Sequence, residues 1–185
     1  SVYVCNNGQL VYDKDHTVIY SASLSNDIVQ TIIETAKKHQ EPLLAGIPEW
    51  YQIGTPNQNQ MIAHSFFHLD IPKQTLPKDA DVYMFVAFGS SDKDYDKYRS
   101  ITGVQVMRGQ SNYCDIIANN SGKDAGIKEA LKLYHQSTYI AFGDSDNDII
   151  MLKNARYAIV MGQGSETAKA NADYITKPVY EDGVA

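Results

Sequence analysis

Acidic and amide side chains crowd one short stretch of this 185-residue chain. Residues 141–152 run Ala-Phe-Gly-Asp-Ser-Asp-Asn-Asp-Ile-Ile-Met-Leu, so Asp144, Asp146 and Asp148 alternate with Ser145 and Asn147. Like charges this close repel strongly unless a cation lies between them. Oxygen ligands on a loop suit Mg²⁺, which keeps several waters and takes one or two carboxylates. One of Asp146, Asn147 and Asp148 is expected to cap a following helix, but a cap needs one such residue, not three. A calcium loop of the EF-hand kind requires Gly at its sixth and Glu at its twelfth position. Ile149 and Ala155 stand there, which rejects it. Upstream, Ser121-Gly122-Lys123 begins a helical stretch. A Lys in that place can hold a phosphate as a point charge, a weak signal by itself.

The elements around these residues predict how they are held. Thr138 to Phe142 is a continuous apolar run, the pattern of a strand buried in the middle of a parallel sheet. It ends at Gly143, and a helix is expected over residues 147–153. Ligands bind at the carboxyl ends of such strands, and helix N-termini favour anions. Further helices are expected over 124–134 and 165–172, and strands over 157–161 and 174–175. That alternation means βαβ units and a doubly wound, Rossmann-like sheet. The first twenty-odd residues differ, with short strands at 2–5, 10–12 and 18–20 cut by Asn6-Asn7-Gly8 and Asp13-Lys14-Asp15.

Between them the texture is mixed. A helix opens at Ser25-Asn26-Asp27 with Ile28, Ile32, Ile33 and Ala36 on one face. One or two strands fall in 43–53, and Met61, Ile62, Ser65, Phe66 and Leu69 make a helical stripe. A strand follows at 82–88, then a short helix at 94–99 with Tyr95 and Tyr98 on a solvated face beside Lys93, Lys97 and Arg99. Strands at 104–106 and 113–118 are separated by a turn at Gly109 to Asn112. The expected fold class is α/β. A partial doubly wound (Rossmann-like) core, 1–23 and 117–185, carries an inserted α+β domain, 24–116.

Composition sets limits. Hydrophobic residues are 43% and charged residues 21%, ordinary for a packed globular chain. The net charge of -6 argues against a nucleic-acid backbone as partner. It leaves room for a small phosphorylated metabolite, because one metal ion and one Lys reverse the local field. No apolar run is long enough to cross a membrane, and no secretory leader is visible. Cys5 and Cys114 lie in apolar, strand-like runs and are expected to be free thiols in a reducing cytoplasm.

Taken together, Lys123 at a helix start and Gly143-Asp144-Ser145-Asp146-Asn147-Asp148 at a strand end resemble two motifs of haloacid dehalogenase-like hydrolases. More narrowly, the chain resembles the Cof-type sugar-phosphate phosphatases. Asn7-Gly8-Gln9-Leu10-Val11-Tyr12-Asp13, the segment 143–152, Glu181-Asp182-Gly183-Val184-Ala185 and the insert before Lys123 carry that likeness. The resemblance implies an aspartyl-phosphate phosphatase that uses Mg²⁺ and acts on a sugar or other small-molecule phosphate. Asp144 would coordinate the metal, and Asp148 would assist directly or through a neighbour. Asn147 would bond the phosphate or order the loop, and Lys123 would bridge the phosphate and the nucleophile. The insert would be a cap domain that selects the substrate.

Members of that family begin with an apolar strand ending in Asp-x-Asp-Gly-Thr, whose first Asp is the nucleophile and whose second is the acid and base. The 185 residues hold no such motif. Asp13-Lys14-Asp15-His16-Thr17 imitates it without the Gly, and is expected to be a solvated hairpin turn. The chain is therefore expected to be a truncated member, inactive alone, with a sheet edge exposed for homodimerisation. A binding or regulatory module that kept the fold without the chemistry is the alternative. His64 and His68 have the i, i+4 spacing of zinc ligands, but no third ligand stands near, so a surface or cleft place is expected. Trp50, Tyr51, Phe66 and Phe67 are candidates for a substrate-facing or core role, and Asp115 and Asn119 for neighbours of the site.

Overall fold

The protein is described here by a computed structural model covering residues 2–47, 49–72, 75–108, 112–119 and 121–184. The chain divides into two compact units, Ser1–Tyr20 with Ser121–Ala185, and Ser21–Asn120. The divisions lie a few residues from the expected 23/24 and 116/117. The strand that includes Ile117 hydrogen-bonds within the sheet of the second unit, and the Leu24 N–H donates to the Val82 carbonyl of that unit.

In the first unit, β1 (Tyr3–Cys5) pairs antiparallel with β2 (Leu10–Tyr12), and β3 (Val18–Ser21) lies on the other side of β2. Asn6, Asn7 and Gly8 link β1 to β2 in a tight turn, all three at positive φ. Only glycine fits the last of these. A Cβ on Gly8 would stand 1.9 Å from the carbonyl oxygen of Gly122. Gly122 precedes α4 (Lys123–Leu133), and a Cβ on Gly126 in its first turns would stand 2.6 Å from Val4 and 2.7 Å from the Gly8 carbonyl oxygen. The β1 turn therefore seats the helix start that carries Lys123.

The rest of this unit is βα-repeating. Strands β9 (Ile140–Gly143), β10 (Tyr157–Val160) and β11 (Tyr174–Ile175) are parallel, in the order β11-β10-β9. Helices α5 (Ile149–Asn154) and α6 (Glu166–Lys169) connect them. Ala141, Leu152, Ala158, Val160 and Ala168 form their buried core. The apolar run 138–142 predicted a strand inside the sheet, and the structure corrects this. Among the described residues β9 pairs only with β10, and Ile140 and Phe142 are 57% and 45% exposed.

The second unit is a five-stranded antiparallel sheet in the order β5-β4-β6-β8-β7. Its strands are β4 (Leu43–Gly46), β5 (Trp50–Ile53), β6 (Met84–Phe88), β7 (Val104–Arg108) and β8 (Tyr113–Ala118). The expected turn between β7 and β8 lies largely outside the described residues. Alternation along the strands sorts the faces. Leu43, Ala45, Phe85, Ala87, Cys114 and Ile116 pack with Val29, Ile32, Ile33 and Ala36 of α1 (Asn26–Lys38). Leu44, Met84, Val86, Phe88 and Ile117 face the other way, toward Ala63 of α2 (Gln58–Phe67).

The expected helix forms at α2, while the expected solvated placing of Tyr95 and Tyr98 fails, and in both places polar groups are buried by their hydrogen bonds. The stripe on α2 faces outward, with Met61, Ile62, Phe66 and Leu69 exposed. Its inner face is Gln60, Ala63 and His64, because Gln60 exchanges hydrogen bonds with Gln52 and His64 Nδ1 bonds the Leu69 carbonyl. Tyr95 and Tyr98 are not solvated but fully buried, around α3 (Asp96–Arg99). The Tyr95 hydroxyl donates to the Gly89 carbonyl and accepts from the Gly89 N–H, and the Tyr98 hydroxyl donates to Glu41.

Candidate active-site loop

The carboxyl end of β9 delivers the chain into the acidic loop at Gly143. A Cβ on that residue would lie 2.8 Å from the Cβ of Asp148, so the glycine lets the loop fold back on itself. Residues 146–148 form one 3₁₀ turn with Ser145 as its N-cap, and α5 continues from it. Asp148, three residues in, reaches back as the second half of a capping box. Its Oδ2 accepts the N–H groups of Asp144 at 3.0 Å and Ser145 at 3.1 Å, and its Oδ1 accepts from Lys123 Nζ.

Asp148 is 4% exposed. Burial alone would raise its pKa, but the Lys123 hydrogen bond and charge and the two backbone N–H groups outweigh it, and its carboxyl sits below the ordinary value. It is therefore an ionised carboxylate that holds Lys123 and the loop together. Lys123 reaches it from the first turn of α4, and Asn154 on α5 donates to Asp124 of α4 at 2.8 Å, tying the two helices.

The other loop residues divide by what they still offer. Asp146 accepts from the Ser165 hydroxyl at 2.7 Å, and the Ser165 N–H donates to the Asp144 carbonyl at 2.8 Å. The Asn147 Oδ1 accepts from the Ser145 hydroxyl at 2.6 Å, which leaves its amide N–H groups for another acceptor. The Asp144 carboxylate is exposed and accepts no hydrogen bond from a described residue. Among the described residues no three metal-binding side chains converge. The donor set thus fits one carboxylate ligand of a water-rich Mg²⁺ rather than a grip by three acids.

A family model described as haloacid dehalogenase-like hydrolase matches residues 1–185. The chain belongs to this family. A 5-amino-6-(5-phospho-D-ribitylamino)uracil phosphatase of Bacillus subtilis (strain 168) is 24% identical over 100% of this chain and 70% of its own length. A phosphoglycolate phosphatase of Methanobrevibacter smithii is 25% identical over 90% of this chain and 67% of its own. The solved structure of the HAD subclass IIB sugar phosphatase BT4131 matches with a TM-score of 0.85 and 26% identity, over 99% of this chain and 72% of that one. In this haloacid dehalogenase-like hydrolase the α/β class expected from the sequence holds.

Of the expected site residues, Lys123, Asp144, Asn147 and Asp148 come together around one loop. Asp115 lies on β8 of the other unit, and the Asn119 N–H donates to Gly103 there. Asp13 accepts the N–H groups of Asp15 and Thr17 at 2.9 Å each, the geometry of a hairpin turn. Sequence reasoning missed Ser145 and Ser165, which set the loop. The Ser-x-x-Asp spacing of Ser145 and Asp148 was the available signal for the first.

Proposed function

We propose that this hydrolase acts on phosphate monoesters of sugars or other small metabolites, and that residues 121–148 form its phosphate-holding half-site. The observation that carries this is the Lys123–Asp148 ion pair beside the open carboxylate of Asp144, at the carboxyl end of a parallel strand. Asp144 would ligate Mg²⁺, which when bound supplies charge to the phosphoryl oxygens. Lys123, held by Asp148, places a fixed positive charge beside that group. The Asn147 amide donates a hydrogen bond to a phosphoryl oxygen. Residues 1–20 with 121–185 would be the core, and 21–120 the cap that selects the substrate.

The 185 residues contain no Asp-x-Asp-Gly-Thr. We infer that, as they stand, they bind metal and phosphate without forming an aspartyl-phosphate. A binding module that has the fold without the chemistry is the alternative reading. Free thiols at Cys5 and Cys114 support a cytoplasmic setting, and no helix among the described residues is long and apolar enough to cross a membrane. The exposed edge and face of β9 support homodimerisation through that strand.

Calorimetric titration of inorganic phosphate, with and without Mg²⁺, tests the half-site. Binding should require Mg²⁺, vanish in Asp144→Ala and weaken about tenfold or more in Lys123→Met. Phosphate binding that ignores both substitutions would defeat the reading. Hydrolysis of p-nitrophenyl phosphate by these 185 residues, lost in Asp144→Ala, would overturn the inference of inactivity. Assaying the whole product of the coding sequence separates the two readings, since only an enzyme turns over there.

A further inference from the structure

In the 21–120 unit a solvent-open cavity of about 350 Å³ lies between α2 and the sheet. It has the size and lining of a small-molecule pocket. Trp50, Phe67 and Tyr113 supply aromatic walls. Phe67 and Tyr113 meet edge to face with ring centres 5.6 Å apart, which fixes that side.

The charged groups are few and of one sign. Asp70 and Asp115 stand in the lining. The Asp70 carboxylate accepts no hydrogen bond from a described residue. His64, also in the lining, has both ring nitrogens engaged, with Nδ1 3.1 Å from the Leu69 carbonyl and Nε2 3.4 Å from Gln60 Nε2. The cavity thus presents aromatic faces and, at Asp70, a carboxylate open to a donor. A phosphoryl or carboxylate group would be repelled. A neutral ring would fill the space and leave Asp70 unused. A ring bearing a protonated nitrogen gains the apolar contact, the ion pair and a cation–π contact together.

We propose that this cavity binds a small aromatic amine, its ring among Trp50, Phe67 and Tyr113 and its cation at Asp70. The site uses none of the residues that hold phosphate, so it stands whether or not the phosphatase reading does. Trp50 is the one tryptophan in the sequence, and its fluorescence reports occupancy. The 185-residue protein is titrated near pH 7 with 2-phenylethylamine, benzyl alcohol and phenylacetate, with calorimetry on the same samples. The amine should saturate at concentrations about fivefold below the alcohol, and phenylacetate should not saturate. Asp70→Asn, at an exposed position, should bring amine and alcohol within about twofold. Ala63→Phe, which fills the cavity from α2, should abolish binding of both, and Asp70→Asn decides the matter if that variant does not fold. Equal binding of all three compounds, an amine preference that survives Asp70→Asn, or no saturable binding would overturn the proposal.

Discussion

At the scale of residues, the pair Lys123–Asp148 makes the sharpest claim. The folded pKa of Asp148 lies below its ordinary value of 3.8. Its stabilising effect is thus complete above that ordinary value and is lost as pH falls through the lowered one. Urea unfolding of the parent protein should therefore show stability falling on acidification from about pH 5 to pH 2, and Asp148→Asn should flatten that fall. Lys123→Met leaves a buried carboxylate with only the loop donors to answer it. At pH 7 it should cost about 2 kcal/mol, between the ranges for exposed and buried pairs, because Lys123 is itself partly exposed. A variant as stable as the parent at pH 7 would mean that Lys123 does nothing for Asp148. The cluster itself was legible in the sequence, since acids two apart after a glycine announce a charged loop. Which acid is paired and which is open was not. That depends on backbone N–H groups of Asp144 and Ser145 and on Ser165, seventeen or more residues beyond the loop's nearest end in no pattern a period reveals.

At the scale of elements, the sequence was clearest where apolar periodicity and burial agree. The α1 face and the strands of the five-stranded sheet followed their patterns because both sides of each element met the environment its residues prefer. At α2 it marked the helix but not its orientation, since exposed apolar residues outnumber the inward ones and amides turn the helix, and it misled at Tyr95 and Tyr98, whose hydroxyls found buried partners. The turn between β1 and β2 was legible as a turn but not as the seat of α4. A side chain at Gly8 must displace the Gly122 backbone and adopt φ near +92. Gly8→Ala should therefore cost about 3 kcal/mol or prevent folding of the first unit, through strain plus overpacking. In any folded fraction it should also weaken phosphate binding, because the start of α4 carries Lys123. Chemical denaturation checks the first effect and calorimetry the second. A loss of no more than about 1 kcal/mol, the ordinary cost of a Gly change, would show that the contact is not tight.

At the scale of the whole molecule, the two units differ in how completely each buries its own apolar surface. The 21–120 unit has apolar clusters on both faces of its sheet, with Phe85, Tyr95, Tyr98 and Ile116 fully covered. Expressed alone, it should unfold cooperatively, with Trp50 reporting one transition by fluorescence and circular dichroism alike. A fragment without a transition would count against reading it as a separate cap. The other unit has Ala141, Leu152, Ala158, Val160 and Ala168 at its core while Ile140, Phe142, Tyr157 and Tyr174 stay exposed. An apolar strand with one edge unpaired is a template for another strand. The 185-residue protein should therefore associate as concentration rises, and sedimentation velocity should find dimers or larger species. Ile140→Lys puts a charge on that edge strand without touching the acidic loop. It should shift the population toward monomer while leaving Mg²⁺-dependent phosphate binding in place. Association unchanged by Ile140→Lys would place the contact elsewhere, and a monomer at every concentration would show that one unpaired strand is not enough to hold two copies together.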